Sequence, residues 1–294
     1  IARLWKRTKF GSKNAVVGVA NQRVVVRQID LPYMEEKELR GSLRYQVGEH
    51  IPMPVDEAEL DFQIIDDFIT DSDEHMMRLL LVAAARDMVG AIVDAVSTAG
   101  LRPAGVDLTP FAVARAVSHA ARGEAGLNGA EAVIDVGAGV TNIVVHHNGE
   151  PRFVRILLVG GDDATNALAD EMDVSFDEAE AVKLDLGRGV GIPELRMLLD
   201  GRVGDLVREI RGSIDYYSSL EDSEPVVSVV ITGGGSLTPG LIDRLENSLG
   251  TQVRKGAPLS DVALGKSGLT DEQVLQIQPV AAAAVGLALG APPK

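Results

Sequence analysis

Aliphatic and β-branched runs of strand length recur along this chain, and most of them stop at glycine or pass into a helical pattern. The first two runs, Ala15 to Ala20 and Val24 to Ile29, read as strands, the second ending at Leu31-Pro32. Proline followed by Glu35-Glu36 is a helix start. Leu39, Leu43 and Val47 then recur every four residues as one apolar stripe that ends at Gly48. Beyond Ile51-Pro-Met-Pro54 the pattern predicts two more strands, Leu60 to Ile65 and Arg78 to Ala84, separated by an acidic loop from Asp66 to Glu74. A helix with Val89, Ile92, Val93 and Val96 inward follows, and Ala99-Gly100 stops it. The segment from 23 to 105 thus reads as a strand–helix–strand–strand module of its own.

In the second half, two glycine-rich turns each close a β-branched run: Ile134-Asp-Val-Gly-Ala-Gly-Val-Thr-Asn142 and Ile231-Thr-Gly-Gly-Gly-Ser236. After the first comes a strand from Asn142 to His146, a turn at Asn148-Gly149 and a return strand from Arg152 to Val159. A glycine pair, Gly160-Gly161-Asp162, leads into helices predicted over Asp163 to Met172 and Phe176 to Leu184. Glu180 and Lys183, three residues apart, share one face of the second helix. Asp215-Tyr216-Tyr217 lies on a helix with Leu206, Ile210 and Ile214, so its aromatics read as core. His146-His147 has no carboxylate or cysteine at ligand spacing, which argues against a metal there.

A strand ending in glycines lets backbone N–H groups approach phosphate oxygens, and Asp135, where strand meets turn, is placed to hold Mg²⁺ through water. An ordinary hairpin with a glycine bulge has the same local sequence, and both readings stay open on these residues alone.

At 294 residues the chain suits two lobes. Hydrophobic residues make up 46% but aromatics only 4%, so Val, Leu, Ile and Ala fill the cores. Absence of cysteine excludes disulfides and thiolate metal sites. A net charge of −15 argues against nucleic acid. Arg3, Lys6, Arg7, Lys9 and Lys13 form a basic start that reads as the solvated face of a helix. Leu79 to Ala85 and Val280 to Ala291, the longest apolar stretches, fall short of the roughly 20 residues a bilayer span needs. The latter reads as a buried closing helix.

The order of these features resembles the actin, sugar-kinase and Hsp70 superfamily of ATP-binding folds, and within it the bacterial FtsA and, more closely, PilM families, the latter of type IV pilus assembly. The carrying segments are Arg23-Val-Val-Val-Arg27 with Leu31-Pro32, His50-Ile-Pro-Met-Pro-Val-Asp56, Asp61-Phe62, Ala99-Gly-Leu-Arg-Pro103 and Val106-Asp107. They continue with the Asp135 turn, Gly160-Gly161, Ala179-Glu180-x-x-Lys183, Thr232-Gly-Gly-Gly-Ser236 and Pro239-Gly240-Leu241. The resemblance implies an α/β, actin-like (ribonuclease H-like) two-lobed fold. Residues 1–22, 106–127 and 277–294 would form the first lobe, with 23–105 inserted in it. Residues 128–165 and 225–276 would form the second lobe, with 166–224 its helical subdomain. Superfamily members open with a strand ending Asp-x-Gly, the first phosphate loop; none occurs here, so a first lobe incomplete at its amino terminus is expected, with weakened nucleotide affinity.

The resemblance further implies ATP and Mg²⁺ as cofactors. Gly137, Ala138, Gly139, Val140 and Thr141, with Asn142 at the turn's end, would face the phosphates and Asp135 would order Mg²⁺. Gly160 and Gly161 would approach from the adjoining turn, Glu180 and Lys183 would bond the ribose, and Gly233, Gly234, Gly235 and Ser236 would receive the adenosine. Hydrolysis would at most be slow. It also implies a cytoplasmic adaptor, peripheral to the inner membrane through its partners, that docks the cytoplasmic tail of an inner-membrane PilN-like protein beside the inserted module and meets other pilus assembly proteins. Leu31, Tyr33, Met34 and Met53 would line that groove. An FtsA-like filament former and a sugar-kinase-type phosphotransferase are the alternatives. For the latter, Asp107 is the only nearby first-lobe candidate for a carboxylate base or a water-positioning group. A fold that has inherited its glycine turns and binds no nucleotide is the fourth.

Overall fold

The computed structural model describes residues 1–8, 10–118, 127–221, 223–265 and 267–290. Lys9 of the basic start and the far end of the Val280 to Ala291 stretch lie outside them, as do parts of the 106–127 and 277–294 segments. The elements run α1 (Ala2–Thr8), β1 (Asn14–Val19), β2 (Val24–Pro32), α2 (Glu36–Gln46), β3 (Ala58–Ile69), β4 (His75–Ala85), α3 (Arg86–Thr98), β5 (Arg102–Leu108) and α4 (Thr109–Val117). They continue with β6 (Ala130–Val136), β7 (Thr141–His147), β8 (Glu150–Leu157), α5 (Gly161–Met172), α6 (Phe176–Gly187), α7 (Pro193–Ser218), β9 (Val226–Thr232), α8 (Leu241–Leu249), β10 (Val253–Lys255) and α9 (Asp271–Leu289).

A mixed sheet of order β10-β9-β6-β7-β8 carries the second half. Its central strands β6 and β9 are aliphatic at most positions because both faces are covered. Alternation decides which face: Ile134, Val136, Ile143, Val145 and Ile231 pack under α5 to α8. Their neighbours Val133, Val144, Val154 and Val230 pack against α4 and α9. Helix α9 crosses from there to the parallel pair β1-β5, where Gly18 of β1 leaves so little room that a built Cβ would lie 3.0 Å from Leu287. Gly286 lets α9 approach α4 closely, since a Cβ there would lie 1.7 Å from the Ala112 carbonyl oxygen.

The antiparallel sheet β2-β4-β3 forms the inserted module. The predicted stripe Leu39, Leu43 and Val47 is buried against Ile29, Leu31, Met77, Leu79 and Leu81. The acidic loop expected from Asp66 to Glu74 is shorter than predicted: β3 continues to Ile69 and β4 starts at His75, which leaves a tight connection from Thr70 to Glu74. Its carboxylates are tolerated because they project from a solvent-facing hairpin, and Asp67 pairs with His75 at 2.5 Å. The closing helix is also longer and less buried than expected. It begins at Asp271 behind a Thr270 cap and carries Pro279 in its interior; only Ala282 and Gly286 are buried, while Val280 and Leu289 are each 60% exposed. Gly286 meets α4 and Leu287 approaches Gly18 of β1, while Leu275, Val280 and Leu289 face outward. Tyr216 likewise departs from expectation: one step along α7 from the buried Tyr217, it is half-exposed.

Candidate functional site

Parallel pairing of β6 with β9 sets Asp135 opposite Thr232, and antiparallel pairing with β7 sets it opposite Asn142. Leu157 of β8 stands opposite Thr141, which brings the Gly160-Gly161 pair to the same sheet edge. Three glycine turns therefore leave the sheet together, and their contacts are backbone on backbone. A Cβ built on Gly160 would lie 2.2 Å from the Ala138 carbonyl oxygen, and one on Gly235 2.7 Å from that of Gly137. On Gly161 it would lie 3.1 Å from the Gly235 Cα. Gly233 has φ +86°, a left-handed conformation that favours glycine, and a Cβ there would strike the Val136 carbonyl and the Asp135 carboxylate.

Hydrogen bonds lock the turns to one another. The Gly161 and Asp162 amides, at the start of α5, donate to the carbonyls of Gly137 and Ala138, each at 2.9 Å. The Gly160 amide donates to the Asp163 carboxylate at 2.7 Å. Gly137 N–H closes the first turn onto the Val140 carbonyl at 2.8 Å. Gly233 N–H and the Thr232 hydroxyl both donate to the carbonyl of Pro279 in α9, at 2.9 and 3.1 Å. Among the described residues, the amides of Ala138, Gly139 and Val140 donate to no backbone acceptor, and Ala138 and Gly139 are exposed. These are the donors the edge offers to an anion.

Several side chains expected to face a ligand are instead internal struts. The buried Thr141 hydroxyl donates to the Val159 carbonyl at 2.7 Å, and the buried Ser236 hydroxyl to that of Gly233 at 2.6 Å. Lys183 is buried, with its ammonium on Glu180 at 2.7 Å, on Thr165 Oγ1 at 2.7 Å and on the Gly161 carbonyl at 3.3 Å, which uses all its protons. Glu180 remains partly open to solvent and accepts the Thr165 hydroxyl at 2.6 Å. Burial raises the pKa of Glu180, but hydrogen bonds from Lys183 and Thr165 and the Lys183 charge outweigh it and hold the carboxyl below its ordinary range. Thr165, Asp163 and Pro279 complete the edge and were not visible as site residues. Only Asp163 left a local signal, three residues after Gly160 at the helix start.

Asp135 is desolvated, and burial pushes its carboxyl above the ordinary range against an opposing hydrogen bond from Asn142 Nδ2 at 3.1 Å. Asn142 is buried, and its Oδ1 has no hydrogen-bond partner among the described residues. A carboxylate disfavoured by burial beside an orphaned amide oxygen suits a hard cation that takes oxygen ligands and keeps several waters. These residues fit Mg²⁺.

Asp107 lies elsewhere, on β5, ion-paired to Arg115 at 3.0 Å. His146 and His147 do meet carboxylates, Glu131 and Glu224, from strands and loops distant in sequence. No group of metal-ligating residues forms there among the described residues. Of the groove candidates, Leu31 is buried in the module core and cannot line a groove, because its position on β2 points under α2. Met34 and Met53 pack partly against that core, and Tyr33 is 43% exposed, stacked on His75 with ring centroids 4.0 Å apart.

A mixed five-stranded sheet covered on both faces, sharing its helices with a second β layer that carries an inserted module, is the actin-like, ribonuclease H-like α/β fold. The family model of the type IV pilus assembly protein PilM matches residues 1–291, and the chain belongs to that family. It is similar to a chain of a solved PilM-PilN type IV pilus biogenesis complex, with TM-score 0.84 and 28% identity over 99% of this chain and 84% of that one. It is also similar to the cell division protein FtsA of Neisseria meningitidis serogroup B (strain ATCC BAA-335 / MC58), 23% identical over 72% of this chain and 58% of the relative. FtsA of Streptococcus pneumoniae serotype 2 (strain D39 / NCTC 7466) is 25% identical over 62% and 43%. The chain thus spans about half the length of these FtsA relatives. No helix among the described residues is long and apolar enough to cross a membrane.

Proposed function

We propose that this chain is a cytoplasmic adaptor of type IV pilus assembly that binds ATP with Mg²⁺ at the converging turns and docks the cytoplasmic tail of a PilN-like inner-membrane protein. On this reading the free amides of Ala138, Gly139 and Val140 hold the phosphates, with Asp135 and Asn142 ordering the cation. Glu180 takes the ribose hydroxyls, and the backbone of residues 233–235 lies against the adenosine. Thr141, Lys183 and Ser236 act indirectly, by fixing the turns. Mg²⁺ would supply charge neutralisation at the phosphates, and hydrolysis would be slow, since Asp107 is engaged by Arg115. The partner peptide would be held by backbone hydrogen bonds beside Tyr33, Met34 and Met53. Association with the inner membrane and with other pilus proteins would follow from that docking.

Convergence of the three turns on one sheet edge carries the proposal. Calorimetric titration of the full-length protein with ATP, with and without Mg²⁺, tests it: saturable, Mg²⁺-dependent heat is expected, and its absence rejects nucleotide binding. Titration with a PilN-like tail peptide separates adaptor from phosphotransferase, because an adaptor binds the peptide whereas a kinase turns over a phosphoryl acceptor.

A further inference from the structure

Strands β2 and β8 are both sheet edges, each with one strand neighbour, β4 and β7 respectively, among the described residues. They face each other without pairing. At one end Val26 of β2 packs against the apolar cluster that holds Val154 of β8, and Val26 and Ile156 of β8 both pack against the cluster of Val19, Val24, Ala84 and Leu108. Beyond that contact they frame a groove of about 730 Å³, lined by residues 26–30 of β2 and 152–155 of β8. Unpaired strand edges are templates for another chain, and folds ordinarily cover or disrupt them.

Charge in this groove runs against that of the molecule. Its described lining holds four arginines, Arg27, Arg78, Arg152 and Arg155, against the carboxylates Asp30 and Glu221, in a chain of net charge −15. Arg78 neutralises Asp30 through two hydrogen bonds of 2.7 and 3.0 Å. Arg27 and Arg155 are exposed and form no ion pair among the described residues. Phe153 and Tyr216, ring centroids 5.9 Å apart, give the groove an aromatic wall.

We infer that this groove receives an extended acidic segment of a partner protein. The segment adds as a strand to the exposed edges, its alternate carboxylates on Arg27 and Arg155 and its apolar side chains against the aromatic wall. The inference rests neither on nucleotide binding nor on the docking face at Tyr33.

The test uses fluorescence anisotropy of the full-length protein with a labelled peptide alternating glutamate and valine over about eight residues, enough for a strand of ordinary length. A lysine–valine peptide and the surface variant Arg208→Glu are controls. Saturable binding of the acidic peptide is expected, weakened about tenfold or more in Arg27→Glu/Arg155→Glu, with unchanged affinity in Arg208→Glu. Binding should slow amide hydrogen exchange within residues 26–30 or 152–155. Both arginines are exposed, so the variant folds; the milder Arg27→Ser/Arg155→Ser pair supplies the same comparison if it does not. No saturation by ~1 mM overturns the inference, as does equal affinity for the lysine–valine peptide or undiminished affinity of both arginine variants. A dimer in light scattering that the charge reversal dissociates assigns the groove to a second copy and equally overturns it.

Discussion

Replacing Gly160 by alanine inserts one methyl group where the candidate edge is most tightly closed. Its φ of −162° suits any residue, so the obstruction is steric and not conformational. The new Cβ would sit 2.2 Å from the Ala138 carbonyl oxygen and 2.7 Å from that of Gly137. Reaching even 3.0 Å requires a retreat of about 0.8 Å, and both oxygens are already held at 2.9 Å by the amides of Asp162 and Gly161. Overpacking costs about 1–3 kcal/mol, and two weakened hydrogen bonds add about 0.5–1.5 kcal/mol each. The sum is about 2–6 kcal/mol. At about 2–4 °C per kcal/mol for a chain near this size, the melting temperature should fall by at least about 4 °C. Urea unfolding followed by circular dichroism reads the same loss as a lower midpoint at unchanged slope. A variant within about 0.5 kcal/mol of the parent would refute the claim that the first and second turns are in backbone contact.

Gly286→Ala should be as damaging, by about 3 kcal/mol or more, because α4 and α9 must separate to admit the methyl group; Gly41→Ala, in an open stretch of α2 with nothing within 4 Å of a built Cβ, should instead stabilise by about 0.5–1 kcal/mol. A thermal melt of each decides. Asp135 has its native pKa raised by burial, so its contribution to stability is complete below the ordinary carboxylate pKa and is lost as pH rises through the raised value. Asp135→Asn should therefore unfold at higher urea than the parent at neutral pH, with the difference closing near pH 3, while Mg²⁺-dependent stabilisation by ATP disappears; a destabilised variant at neutral pH contradicts this. Glu180→Ala leaves the buried Lys183 ammonium without its counter-charge, whereas Lys183→Met leaves a carboxylate that reaches solvent. The Glu180 variant should be the less stable by about 1 kcal/mol or more, and the reverse order in denaturant melts would show that Glu180 does not compensate that charge.

Elements whose side chains answer to local periodicity were legible in the sequence. The Leu39, Leu43 and Val47 stripe, the hairpin turn at Asn148-Gly149 and the stop at Gly100 follow from spacing and from backbone conformations glycine favours. The glycine turns of the candidate edge were likewise visible, because close backbone approach excludes a Cβ and leaves glycine behind. What was hidden depends on partners far along the chain. Thr141, Ser236 and Lys183 look available for a ligand in sequence, and only the tertiary fold shows their polar atoms spent on Val159, Gly233, Thr165, Glu180 and Gly161. Glu131 behind His146 is fifteen residues away and faces it through strand register. Leu31 and Tyr216 depart from expectation for a simpler reason: on strand β2 a single step reverses burial, and on helix α7 one step from the buried Tyr217 turns Tyr216 about 100° away from the buried stripe. The β3–β4 hairpin was shortened because its acidic residues obscured a two-stranded ribbon with one face in water.

Pro279 gives α9 a mechanical property. Without an amide of its own it cannot donate within the helix, and its carbonyl is seized by Thr232 and Gly233, while seven residues further on Gly286 clamps the same rod to α4. A rod bolted at two points cannot slide. Any tilt of one layer against the other must flex α9 at its proline, and the bolt at that flexure is the peptide group of Gly233, so an opening motion would tug first on the third glycine turn.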